Sequence, residues 1–172
     1  SSSHHQDNTF FIALGLYRPH LPWHSPVEFW KAFNRSQLTI PKGFNSDDFY
    51  NPLIDQGLLQ QELVKGNRWM EAIQAYLAAM ALADYNVGIV LNALEESGLA
   101  DNTIVLFMGD HGWHLGEKNW WGKKSPYEPA NRTTLIIRDP MATGGGTKCD
   151  KVVSLQDIYP TLVARAGLPP RP

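Results

Sequence analysis

The chain is poor in cysteine: Cys149 is the only one in 172 residues. No disulfide can therefore close within it, and cysteine usage leaves the redox compartment undetermined. Charge of either sign is also scarce in excess. Fifteen Lys and Arg stand against 17 Asp and Glu, a net charge of -2, which gives no electrostatic reason to expect nucleic acid or an anionic membrane as a partner. No apolar run reads as long enough to span a bilayer, and no signal peptide is visible, so no localisation is assigned. Internal repeats and coiled-coil heptads are missing as well. What remains, 43% hydrophobic and 19% charged, is an ordinary globular composition with material for one domain and a real core. A single α/β domain over residues 1–172 is expected. Residues 1–9 read as a tag or as disordered, and His4 and His5 are set aside on that ground.

Hydrophobic patterning supplies the elements. Phe10 to Leu16 reads as a buried strand. Residues 17–66 are irregular, punctuated by Pro19, Pro22, Pro26, Pro41 and Pro52, with a short helix at Pro26 to Phe33. Asn67 is positioned to cap a long helix ending near Gly98, whose stripe comprises Trp69, Ile73, Tyr76, Leu77, Met80, Val87, Leu91 and Leu94. A second strand is expected at Thr103 to Gly109 and a third at Thr134 to Arg138. Gly144-Gly145-Gly146 marks a loop, and Leu155 to Ala166 a closing helix stopped by Gly167 and Pro169. Strand, helix, strand, strand, helix is an α/β order, with a mostly parallel sheet flanked by helices.

The most informative stretch is Thr103-Ile104-Val105-Leu106-Phe107-Met108-Gly109-Asp110-His111-Gly112. β-Branched and large apolar residues end abruptly in Gly-Asp-His-Gly, as a buried strand does when it delivers polar groups at its carboxyl end. Ligands and metals sit at that end of open α/β sheets. Asp110 brings a hard carboxylate and His111 an imidazole, making both candidate metal ligands. Two ligands are too few to hold an ion, so His20, His24, His114 or a second subunit would have to complete the shell. On the helix, Asp84 falls within the apolar stripe and reads as a hydrogen-bonded structural carboxylate, and Gly88 on the same face suits close helix-to-sheet packing. Phe29, Trp30, Phe33, Trp113, Trp120 and Trp121 are many aromatics for loops and short elements.

Gly109-Asp110-His111-Gly112-Trp113-His114-Leu115-Gly116-Glu117-Lys118, followed by Trp121-Gly122-Lys123, resembles the second metal-ligand segment of the sulfatases. These belong to the alkaline phosphatase superfamily, and the branch most like this chain is that of iduronate-2-sulfatase and choline-sulfatase-like enzymes. Three further segments match in the same order: Phe10 to Leu16 with Arg18-Pro19-His20-Leu21-Pro22-Trp23, the helix from Tyr76 to Leu94, and Val153 to Leu162. The resemblance implies a truncated alkaline-phosphatase-like fold and a metal-dependent hydrolase of sulfate or phosphate esters acting on a small anionic ester. It implies that His20 donates to a sulfate oxygen and that Lys123 neutralises sulfate charge, with Lys124 as the fallback. These two are the catalytic and substrate-binding candidates, and His114 is a weaker substrate-binding one. Arg132 matches the family's structural arginine, for which an ion pair is expected. The divalent ion is calcium by resemblance, while the His111 imidazole leaves zinc, manganese or magnesium open.

The departures matter equally. The family converts the first residue of a Cys-x-Pro/Ala-x-Arg or Ser-type motif to its formylglycine nucleophile, and an Asp-Asp pair after an early strand supplies half of the metal site. Cys149 sits in Lys148-Cys149-Asp150-Lys151, which lacks both the Pro or Ala and the Arg, and Asp47-Asp48 follows no apolar run. The chain thus reads as a sulfatase portion without its N-terminal nucleophile segment. Any turnover by it alone would use a metal-bound water. The competing reading is a catalytically inactive fragment or binding domain. Either way, a bare sheet edge and uncovered apolar surface would favour a homodimer or complementation by the missing segment.

Overall fold

The computed structural model describes residues 9–43, 62–63, 65–143 and 145–169. His4, His5, Asp47, Asp48 and Gly144 fall outside these. The chain divides into two compact units, one of residues 1–96 with 115–120, the other of residues 97–114 with 121–172.

The first unit is built on helices. Helix α1 (Val27–Lys31) follows Pro26, whose fixed φ suits a helix start. It packs on α2 (Trp69–Glu96), the 28-residue helix expected from the periodicity. Gln74 of α2 fastens the two together. Its Nε2 donates to the carbonyls of Trp30 (3.2 Å) and Phe33 (2.7 Å) at the end of α1, and its Oε1 accepts from the Arg35 guanidinium. These bonds satisfy carbonyls that a helix terminus leaves open. Edge-on aromatic pairs, Trp23 with Tyr76 and Phe29 with Tyr85, complete the contact.

The start of α2 differs from the expected cap. Asn67 has φ 49°, a left-handed conformation, and the helix begins at Trp69 behind an Arg68–Glu71 ion pair. Its end follows the sequence: Gly98, at φ 72°, takes the left-handed position just past the helix. The buried face is not the large-residue stripe. Ala72, Ile73, Ala75, Ala78 and Ala79 are buried, whereas Met80 and Leu91 are exposed. Alanines allow α1 and its flanking chain to approach closely, and in the distal half of the stripe Leu91 is exposed while Val87 and Leu94 are half-buried. Asp84 is accordingly exposed, and a Cβ added at Gly88 would meet nothing within 4 Å. The expectation that no segment could span a bilayer also needs correction. Helix α2 is long and apolar enough by length and composition, with a mean hydropathy of 1.5 in its most apolar window. Interior helices of large domains meet the same criterion.

Phe10 to Leu16 forms no strand. It is irregular and mostly exposed, with Phe11 82%, Ile12 76% and Leu14 59% accessible. A strand needs a hydrogen-bonding neighbour, and the described chain offers this segment none.

The second unit holds the sheet. Strands β1 (Val105–Met108) and β4 (Leu135–Arg138) pair with Val105 opposite Arg138 and Met108 opposite Leu135. This pairing is antiparallel, which corrects the expected parallel sheet: each strand lies where the sequence indicated, but a strand's residues do not encode the direction of its neighbour. Arg138 secures the open end, donating to the Ala100 carbonyl at 3.0 Å. Two further short strands, β2 (His114–Leu115) and β3 (Trp121–Gly122), pair with each other. A short helix α3 (Glu128–Asn131) precedes β4, and Arg132 after it pairs with Glu128 as expected of a structural arginine. Helix α4 (Ile158–Arg165) closes the unit. Ser154 and Asp157 form a capping box at its entry, and Gly167, at φ 66°, ends it.

Candidate active site

Strand β1 ends at Met108, and the Gly109 N–H still donates to the Thr134 carbonyl at 3.0 Å. The ladder therefore aims the next two residues, Asp110 and His111, off the carboxyl end of β1. Gly112 is needed for that turn. Its N–H donates to the Ala130 carbonyl at 2.7 Å, and any Cβ there would overlap the carbonyl oxygens of Pro129 and Arg132.

His111, Asp110 and Lys123 converge. The His111 Nδ1 lies 2.8 Å from the Gly112 carbonyl, which can only accept, so Nδ1 carries the proton and Nε2 presents its lone pair. The Lys123 ammonium donates to that lone pair at 2.9 Å, and the Asp110 carboxylate stands 3.4 Å from the same nitrogen. An outer hydrogen bond that sets the tautomer is what a ligating histidine requires. The donors of Asp110 and His111 are close enough to meet on one divalent ion. Among the described residues no group of three or more His, Cys, Asp or Glu forms.

His114 is fully buried. Its Nε2 is 2.7 Å from the Ser125 hydroxyl, so its ring faces the loop after Lys123. Lys124, the fallback to Lys123, is exposed. Sequence reasoning missed Ser125, a lone loop serine with no motif around it.

His20 belongs to the first unit and is exposed in a loop held by backbone acceptors. Arg18 donates to the His24 carbonyl (2.8 Å) and the His20 carbonyl (3.3 Å), Tyr17 to the Leu21 carbonyl (2.7 Å), and the Trp23 indole to the Pro19 carbonyl (2.9 Å). His20 Nδ1 also donates to the Leu21 carbonyl, at 2.7 Å. Its exposed Nε2 can therefore donate to an anion only when the ring is protonated. Nearby in the same unit, burial and then the Glu117 carboxylate push the Tyr76 phenol above its ordinary value, keeping it neutral.

Comparison with known proteins finds sulfatases. The chain is 36% identical over 168 residues to a sulfatase of Formosa agariphila, covering 92% of this chain and 32% of that protein. It is 30% identical over 207 residues to the iduronate 2-sulfatase of Mus musculus, covering 95% and 37% respectively. A protein solved with its substrate D-glucosamine-2-N,6-O-disulfate superposes with a TM-score of 0.58 at 33% identity, over 64% of this chain and 24% of that one. The chain thus spans about a third of the length of the curated relatives it matches. The sulfatase family model matches residues 2–168, and on that match, together with the α/β architecture, the chain belongs to the sulfatase family.

Proposed function

We propose that this chain carries one anion-binding and metal-ligating part of a hydrolase of sulfate or phosphate esters. The observation that carries the reading is the convergence of Asp110, His111 and Lys123 at the end of β1, with the His111 lone pair 2.9 Å from the ammonium. Asp110 and His111 would hold a divalent ion, which when bound withdraws charge from the ester oxygens. Lys123 neutralises the anion as a positive donor. A small sulfated molecule is the substrate class this site suits, and the sulfated sugar bound by the solved relative supports that choice.

A second reading has one observation behind it. No third ligand joins Asp110 and His111 among the described residues, which favours a chain that binds the anion but does not turn it over by itself. One experiment separates the two. Sulfate and manganese binding are titrated, and hydrolysis of 4-nitrophenyl sulfate and phosphate is followed in the same samples. Metal-dependent turnover lost in Asp110→Ala supports the hydrolase, binding without turnover supports the second reading, and neither binding nor turnover sinks both.

For assembly we propose a homodimer, or complementation by further sulfatase sequence. Exposed Phe11, Ile12 and Leu14 in one unit and Ile136 and Ile137 in the other support it, since accessible apolar surface of this kind seeks burial.

A further inference from the structure

Ser125 uses every hydrogen-bonding group it owns. Its N–H donates to the Lys123 carbonyl at 2.9 Å, and its carbonyl accepts from Asn131 Nδ2 at 3.1 Å. Its hydroxyl oxygen accepts from the Tyr127 N–H at 3.2 Å and is hydrogen-bonded to His114 Nε2 at 2.7 Å. His114 sits on β2, which pairs with β3, and Lys123 is the residue immediately after β3. The buried imidazole thus anchors a serine that in turn fixes the backbone of the lysine. A lysine stem has four flexible carbons, so the ammonium can stay at His111 only if its backbone is held.

We infer that His114 and Ser125 are positioning residues that set the Lys123 ammonium against His111. This rests on the proposed role of Lys123 at the anion site. His114 has no accessible surface and cannot itself touch a ligand. Its effect runs through Ser125, and the bond requires a hydrogen-bonding group at the Nε2 position.

Graded substitutions in the full chain test this, with two readouts. One is the inorganic sulfate dissociation constant from NMR titration. The other is the nuclear Overhauser contact between the Lys123 side chain and the His111 ring, recorded without sulfate. A glutamine amide reaches the place of Nε2, whereas an asparagine amide reaches only that of Nδ1. His114→Asn and Ser125→Ala are therefore expected to lose the Lys123–His111 contact and to weaken sulfate about three- to tenfold, the equivalent of one hydrogen bond. His114→Gln and Ser125→Thr should keep both. Equal damage from His114→Asn and His114→Gln would overturn the inference, since His114 would then only fill space. So would an intact contact and unchanged affinity in Ser125→Ala. If Ser125→Ala fails to fold, the His114→Asn and His114→Gln pair decides alone. Lys123→Ala separates the inference from the reading beneath it: unchanged sulfate affinity in that variant would remove the anion role of Lys123, while the contact readout would still decide the positioning role of the pair.

Discussion

Two histidines each have their neutral tautomer set by one backbone carbonyl. The Gly112 carbonyl holds the proton of His111 on Nδ1, and the Leu21 carbonyl does the same for His20. Opposite consequences follow. His111 is useful neutral, with its lone pair turned to Lys123 or to an ion, whereas His20 is useful to an anion only when protonated. Asp110→Ala should abolish binding of a divalent ion. Elemental analysis and metal titration of both proteins check this, and equal metal content would remove the assignment. Lys123→Ala should weaken sulfate about tenfold or more, as expected for loss of a charged donor at a partly buried site.

At the scale of elements, the turn from β1 is the most constrained piece of backbone. Gly112→Ala would drive a methyl into the carbonyl oxygens of Pro129 and Arg132, backbone that cannot swing away as a side chain can. A cost of about 3 kcal/mol is expected, visible as a lower denaturation midpoint, and a near-neutral substitution would contradict the packing described. Helix α4 is held differently. Its Arg165 pairs with Asp139, whose side chain is only 7% exposed, and the Arg165 hydrogen bond, with help from the Met141 N–H, holds the Asp139 carboxyl below its ordinary value. A carboxyl depressed in the folded state contributes stability that is fully present above its unfolded value and disappears as pH falls through the folded one. Arg165→Met should therefore lower Tm at neutral pH, and the gap from the unsubstituted protein should close in acid below the usual carboxylate range. A pH-independent gap would mean that Arg165 acts by packing.

For the whole molecule, the exposed apolar surface is the dominant feature. Phe11, Ile12, Ile89, Ile136 and Val152 are each at least half accessible, on a chain that spans about a third of its relatives. Apolar surface of that kind costs free energy in water and favours association. Light scattering at micromolar concentration should report a species larger than one chain. A monomer that unfolds cooperatively would count against the proposed assembly.

The sequence by itself determined the helix α2 and its glycine stop, the strands β1 and β4, and the placement of Asp110 and His111 at a strand end. Periodicity, a left-handed glycine and an apolar run broken by polar residues are all local signals. Tertiary structure alone decided the rest. Phe10 to Leu16 has the residues of a strand but no neighbour to pair with among the described residues, so it stays irregular and mostly exposed. The alanine face of α2 is buried because α1 approaches it, and no hydropathy pattern ranks alanine above leucine. The direction of β4, the bond from His114 to Ser125 and the capping of α1 by Gln74 join residues distant in sequence or unmarked by any motif. Such contacts depend on which surfaces meet, and that is settled only when the chain has folded.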